Sequence, residues 1–161
     1  MKAAELPANE LDRLQSVKKL GILDTKPEER FDVITREAVA AFKVPIATIT
    51  VMDKEREWYK SCQGLNVREV SRELSFCAHA MLSRNIFVVE DTLRDPRFAD
   101  NPMVTGEPHI RFYAGVALTN EEGHHIGVFC IKDTKPRTLT PDEIVLLMDF
   151  AQRALVELTK N

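Results

Sequence analysis

Apolar residues recur along this chain with two different periods, and the switches between them outline the elements. Leu11, Leu14, Val17 and Leu20 fall on one helical stripe, with Asn9 placed as a cap and Gly21 as a terminator. Thr25 and Glu28 have the spacing of a capping box, with Pro27 in the first turn. Phe31, Ile34, Ala38, Val39 and Phe42 then give a second helix its apolar face, and Pro45 marks its exit. The β-branched run Ile46 to Asp53 predicts a buried strand, Asp53 to Arg56 a polar turn, and Trp58 to Gln63 the returning partner, broken by Gly64. Residues 67–73 predict a charged connection. Ser75 to Arg84 predicts a short helix, with Phe76 and Ala80 one turn apart and Cys77 and Met81 likewise. Ile86 to Val89 predicts a short strand.

Residues 90–111 have no clear period and are rich in Asp, Pro, Arg and Asn. Loops of that length in a compact domain bind, cover or link something. The next segment, Phe112 to Asp133, predicts a hairpin that is apolar on both faces. Phe112, Ala114, Val116 and Leu118 share one face of its first strand and Tyr113, Gly115 and Ala117 the other. Ile126, Val128 and Cys130 alternate with Gly127, Phe129 and Ile131 on its second. Such a hairpin belongs in the middle of a covered sheet, and glycines inside strands mark close approach of another group. Thr140, Pro141 and Glu143 form a capping box with proline in the first turn. Ile144, Leu147, Met148, Ala151, Leu155 and Leu158 carry the last helix. Strands joined by tight turns imply an α+β fold with an antiparallel sheet rather than alternating βαβ units.

Composition narrows the function classes. The chain has 161 residues, enough for one domain with a full core, and we expect a helix and connection over 1–24 followed by a domain over 25–161. Lys and Arg total 22 against 25 Asp and Glu, with no basic run, so a nucleic-acid partner is not expected. The longest greasy run, Val44 to Met52, is too short to cross a bilayer, the N-terminus lacks a signal peptide's apolar core, and Cys62, Cys77 and Cys130 lack zinc spacing. The expectation is a cytoplasmic setting without membrane insertion. No phosphate-binding glycine loop, nucleophile elbow, zinc-protease helix or kinase catalytic loop is present.

Several segments together resemble the GAF domains, in particular the small bacterial type found alone or ahead of sensor kinases and diguanylate cyclases. They are ILDTKPEERFD (22–32), VPIATITVMD (44–53), REWYKS (56–61), SFCAHAM (75–81), the long run from Asp95 to Leu118, and GVFCIKD (127–133). The resemblance implies a GAF-like, PAS-related antiparallel sheet. Terminal helices would cover one face, and a short helix and long loop would enclose a pocket on the other. It also implies a regulatory module that binds a small molecule, pairs with a second copy, and acts on an output domain such as a histidine kinase or diguanylate cyclase. Bilin-binding members carry cysteine directly before histidine, whereas Ala78 separates Cys77 from His79 here. The phosphodiesterase signature Asn-Lys-x-Asp-Glu is absent.

Within that frame, Arg111 is the candidate for an anionic ligand group, Tyr113 and Phe76 for walls, and Cys77, His79, His109 and Asp91 for polar contacts. Each has a plainer alternative: Cys77 as a small buried hydrophobe, and Arg111, His109, Asp91, Asp95 and Arg97 as a network that holds the loop. Trp58, Tyr59 and Tyr113 are either pocket floor or core. His124 and His125 are expected to be exposed turn residues. Leu14 with Leu20, or Leu155 with Leu158, are candidate dimer contacts. No metal site, catalytic residue or particular cofactor is assigned. The expectation is a non-enzymatic sensor. The alternatives are a thiol-based reductase of free methionine sulfoxide, which some stand-alone GAF proteins are, and a ligand-free dimerisation domain.

Overall fold

The computed structural model describes residues 1–160, so Asn161 lies outside the described residues. Helices α1 (Glu10–Leu20) and α2 (Glu29–Phe42) precede strands β1 (Ile46–Met52) and β2 (Arg56–Gln63). A short strand β3 (Glu69–Ser71), helix α3 (Phe76–Ala80) and strand β4 (Phe87–Val89) follow. Helix α4 (Pro102–Thr105) lies in the long loop, and the hairpin β5 (Phe112–Thr119) and β6 (His125–Asp133) leads into α5 (Pro141–Thr159).

The six strands form one antiparallel sheet in the order β3-β2-β1-β6-β5-β4. That order explains the cover. The chain leaves the sheet at β3, on one edge, and re-enters at β4, on the other. The face filled by α1, α2 and α5 is closed to it, so it crosses the opposite face and lays α3 there.

Each face has its own core. On the helical side, Val17, Phe31, Ile34, Ala38, Leu147, Phe150, Ala154 and Leu158 pack against Ile49, Val51, Trp58, Phe112, Ala114, Phe129 and Ile131. On the cover side, Phe76, Cys77, Ala80 and Met81 join Phe98, Val104 and Ile110 over Tyr113, Val128 and Cys130. The alternation in the hairpin therefore sorts its residues between two cores, except that Ile126, expected to share a face with Val128 and Cys130, joins the helical side next to the irregular pairing of Leu118 and Thr119. Both strand glycines are places of close approach. A Cβ on Gly127 would overlap the Thr50 carbonyl of β1, and one on Gly115 would overlap the phenol of Tyr113, which lies back along its own strand.

Four local expectations need correction. Thr25 and Glu28 form no capping box: α2 starts at Glu29, while Thr25 Oγ1 bonds the Ile22 carbonyl and accepts from Lys60 Nζ at 2.8 Å. The α1 stripe is rotated, because Leu11 is exposed and Arg13 is buried in its place. Arg13 Nη1 donates to the carbonyls of Met52 (2.7 Å) and His125 (3.3 Å), two strand ends that α1 would otherwise cover without a donor. His124 and His125 are half-buried rather than free in solvent: His124 pairs with Ser16 Oγ at 2.6 Å, and His125 bonds the Met81 carbonyl. The charged connection over 67–73 also contains β3. By contrast, the Thr140–Glu143 capping box of α5 is present in full.

Gly127→Ala is expected to destabilise the domain by about 1–3 kcal/mol, since β1 and β6 must separate to admit a methyl group. Urea unfolding followed by Trp58 fluorescence measures this, and an unchanged midpoint would mean that the central pairing is looser than described.

Candidate functional site

The cover-side face of the sheet is not uniformly apolar. Alternation places Thr48 and Thr50 of β1, Glu57 and Tyr59 of β2, Tyr113 of β5, and Cys130 and Lys132 of β6 among its buried residues. A bulge opposite Ile49 and Thr50 lets β2 keep Glu57 and Tyr59 on this side while Lys60 and Ser61 turn toward α2. Glu57, Tyr59 and Lys132 are each at most 1% exposed. Acids and lysines are almost never buried so deeply unless paired.

Their partners are incomplete. Glu57 Oε1 accepts a hydrogen bond from Ser75 Oγ, and that same Ser75 oxygen caps α3 by accepting the Ala78 N–H at 2.9 Å. Glu57 Oε2 and Tyr59 Oη have no partner. Lys132 Nζ stands 6.0 Å from the ring centroids of Tyr59, Phe76 and Tyr113 alike, at the edge of cation–π range. Burial alone would push this ammonium down, but the negative poles of Tyr59, Cys130 and Glu57 around it hold it above the ordinary lysine range. Burial, followed by the Glu57 charge, pushes the Tyr59 phenol up, so it stays protonated and able to donate. The cluster thus offers a cation, a donor hydroxyl and a free carboxylate oxygen within one enclosure. An orphaned buried polar group costs about 1–3 kcal/mol, so the cluster carries hydrogen-bonding capacity that the protein itself leaves unmet.

The residues singled out in the sequence divide into two groups. Phe76, Cys77 and Tyr113 meet at this cluster: Tyr113 Oη donates to Cys77 Sγ at 3.1 Å, and the Phe76 ring stacks on Tyr113 at 5.4 Å and on Phe98 at 4.3 Å. His79, Asp91, His109 and Arg111 are placed elsewhere. His79 is on the outer side of α3 and donates from Nε2 to the Lys2 carbonyl at 2.8 Å, so it holds the N-terminal segment against the cover. Asp91 accepts the Leu93 N–H in a local turn. Arg111 donates to the carbonyls of Val104 (2.8 Å) and Ile110 (3.3 Å), which makes it a clamp on the long loop. His109 is exposed in a left-handed turn at φ 59°.

The space beneath the cover differs from an open hollow. The stack of Phe98, Phe76 and Tyr113 fills its centre, and none of five surface clefts is lined by α3. One of those clefts, of about 310 Å³ at the β2 edge, includes Tyr59 and Cys62 in its lining. Tyr59 is therefore shared by a solvent-facing cleft and the buried cluster. Glu57, Tyr59 and Lys132 as a group were missed in the sequence, although charged residues at inward-facing strand positions were a usable signal.

Two ion-pair chains lead from the cluster to the terminal helices. Arg72, just before α3, pairs with Glu10 at 2.6 Å, and Glu10 pairs with Arg13 of α1 at 2.8 Å. Burial alone would raise the Glu10 carboxyl, but the two arginines hold it below its usual range. On the other side Asp133, next to Lys132, lies 3.6 Å from Arg137, which bonds Glu143 in the first turn of α5 at 2.9 Å.

Comparison with known proteins agrees with this architecture. The family model described as the GAF domain matches residues 26–158. A cyclic di-GMP phosphodiesterase of Pseudomonas aeruginosa is 40% identical over 153 residues, covering 94% of this chain but only 26% of its own length. The chain thus spans about a quarter of that relative. Among solved structures, the GAF domain of an Acinetobacter phosphoenolpyruvate-protein phosphotransferase superposes with a TM-score of 0.64 at 18% identity, over 92% of this chain and 91% of its own. A free methionine-R-sulfoxide reductase from Neisseria meningitidis superposes with a TM-score of 0.63 at 16% identity, over 98% of this chain and 96% of its own. Similarity at that level establishes a shared fold.

Ser75→Ala removes both the α3 cap and the donor to Glu57 Oε1. The expected loss is about 1–2 kcal/mol by denaturant unfolding. A change below about 0.5 kcal/mol, the range of an ordinary surface substitution, would mean that Ser75 does not hold the cover to β2.

Proposed function

Because the chain belongs to the GAF-domain family, we propose that it is a non-enzymatic sensory module in which a small polar molecule engages Lys132, Tyr59 and Glu57 beneath the α3 cover. The observation that carries this reading is the pair of orphaned buried oxygens, Glu57 Oε2 and Tyr59 Oη, beside a buried ammonium. An anionic group on the ligand would accept from Lys132 and Tyr59, and a donor group would meet Glu57. The aromatic stack limits the ligand to a small one, admitted as the cover shifts. Binding biases the module only through a difference in affinity between two arrangements of the cover.

Displacement of α3 pulls on Ser75 and Arg72, and through Glu10 and Arg13 on α1. The second chain, through Asp133 and Arg137, carries the same shift to α5. The similarity to a phosphodiesterase of cyclic di-GMP supports an output of cyclic-dinucleotide turnover, in an attached or associated domain. The setting that fits this role is cytoplasmic, and no helix among the described residues is long and apolar enough to cross a membrane. For pairing with a second copy, Leu158 is buried and unavailable, whereas Val145, Met148 and Val156 of α5 are 60%, 51% and 44% exposed and offer an alternative stripe. One observation favours a second reading, a ligand-free regulatory scaffold: the centre of the cover-side core is already filled by Phe76, Phe98 and Tyr113.

Native mass spectrometry of the protein from its own host separates the two. The sensory reading expects a non-covalent small molecule on the wild-type chain, with at least a tenfold drop in occupancy in Lys132→Met, since a charge-assisted contact contributes about 1.5–3 kcal/mol. A bare wild-type chain would favour the scaffold.

A further inference from the structure

Residues 1–6 lie outside every helix and strand, yet they stay against the domain. One residue grips two parts of the cover. The Lys2 N–H donates to the Arg97 carbonyl of the long loop at 3.1 Å, and the Lys2 carbonyl accepts from His79 Nε2 of α3 at 2.8 Å. Ala4 packs against the cover-side core. At its other end the segment turns into α1, where the Glu10 N–H donates to the Pro7 carbonyl at 3.2 Å. Glu10 is itself held by Arg72 and Arg13. The segment therefore runs from a pinned helix start, past the outer side of α3, to the long loop.

The groups that receive it are held by their own neighbours. The His79 ring meets Phe98 edge-on at 5.0 Å and lies nearly parallel to Phe87 at 6.3 Å. The Arg97 guanidinium lies over the same two rings, at 5.4 and 5.0 Å, and Asp95 accepts from it at 2.7 and 3.0 Å. By contrast, the segment itself is loosely held. Five of its six residues are exposed, Leu6 at 65%. A cleft of about 490 Å³ is lined by Ala3, Ala4 and Leu6 together with Lys54, Glu55 and residues 71–73, so the segment does not pack flush on that side. A few hydrogen bonds over little buried area give way locally at lower free energy than the whole domain unfolds.

We propose that residues 1–6 form a strap across the outside of the cover, and that its release is the step that lets α3 lift from the sheet. With the strap in place, α3 is held on both sides. Ser75 ties its start to Glu57, His125 ties its end through the Met81 carbonyl, and Lys2 holds His79 from the outer side. A helix of five residues has little stability of its own, so these ties decide whether it stays down. The strap does not depend on what the enclosure beneath α3 contains. Only its use as a gate for a ligand rests on the sensory reading above.

Hydrogen exchange of the α3 amides, followed by mass spectrometry with no ligand added, tests the strap. Deletion of residues 2–6 removes it. His79→Phe keeps an aromatic ring beside Phe87 and Phe98 but cannot donate to the Lys2 carbonyl. The expected result is α3 exchange faster by about tenfold in the deletion and by about threefold in His79→Phe, as loss of two hydrogen bonds or of one would give. Gly127→Ala, which weakens the sheet, should leave the α3 rate unchanged, because lifting the cover leaves the sheet folded. Unchanged α3 exchange in the deletion would overturn the proposal. So would an equal acceleration by Gly127→Ala, since α3 would then open only with the whole domain. Should the deletion fail to fold, His79→Phe decides alone. Native mass spectrometry reports on the ligand and exchange on the strap, so the two readings fail separately.

Discussion

The ammonium of Lys132 is buried on β6, a central strand, beneath a cover only one short helix thick. Removing such a charge from water costs several kcal/mol unless its surroundings compensate. Here compensation comes from three separate elements: the rings of Tyr59 on β2, Tyr113 on β5 and Phe76 on α3, all 6.0 Å from Nζ. Glu57 on β2 adds the opposite charge. One cation therefore faces rings from both hairpins and from the cover at once. It also prevents the cover-side core from being a plain hydrophobic seal.

Sheet order does the rest. With β3 and β4 on opposite edges, the chain between them must cross the face that α1, α2 and α5 leave open. That crossing starts at Arg72 and Ser75, and both residues are anchored to polar groups rather than to the core. A short helix held by a cap, an ion pair and a few rings opens at lower free energy than the sheet beneath it. Arg72 also ties the start of this crossing to Glu10 of α1. The helical face, by contrast, is packed continuously through apolar residues from Val17 to Leu158.

Much of the fold was legible because the relevant forces are local. The β5–β6 hairpin announced itself through alternation and through Gly115 and Gly127, and both glycines are indeed points of overlap. The α5 capping box followed from Thr140, Pro141 and Glu143. Thr25 failed as a cap because a distant lysine, Lys60, claims its hydroxyl. The register of α1 failed because two strand-end carbonyls require Arg13. Neither demand can be seen within one helix. The candidate site was legible where aromatic and thiol residues lie on the inner face, as with Phe76, Cys77 and Tyr113. It was missed for Glu57 and Lys132, whose inward-facing strand positions were the one available signal, because their burial depends on neighbouring strands and α3 closing over them. His79, Asp91 and Arg111 carry the chemistry of a ligand site but spend it on carbonyls and N–H groups of the N-terminal segment and the long loop.

The central claim is that the enclosure of Glu57, Tyr59 and Lys132 holds something that is not protein. A high-resolution crystal structure of the protein as purified from its host tests it most directly. The account predicts ordered density larger than a water molecule, within hydrogen-bonding distance of Glu57 Oε2, Tyr59 Oη and Lys132 Nζ. Direct contact between the Glu57 carboxylate and the Lys132 ammonium, with the phenol bonded to a protein atom and nothing but water or packed side chains around them, would contradict it.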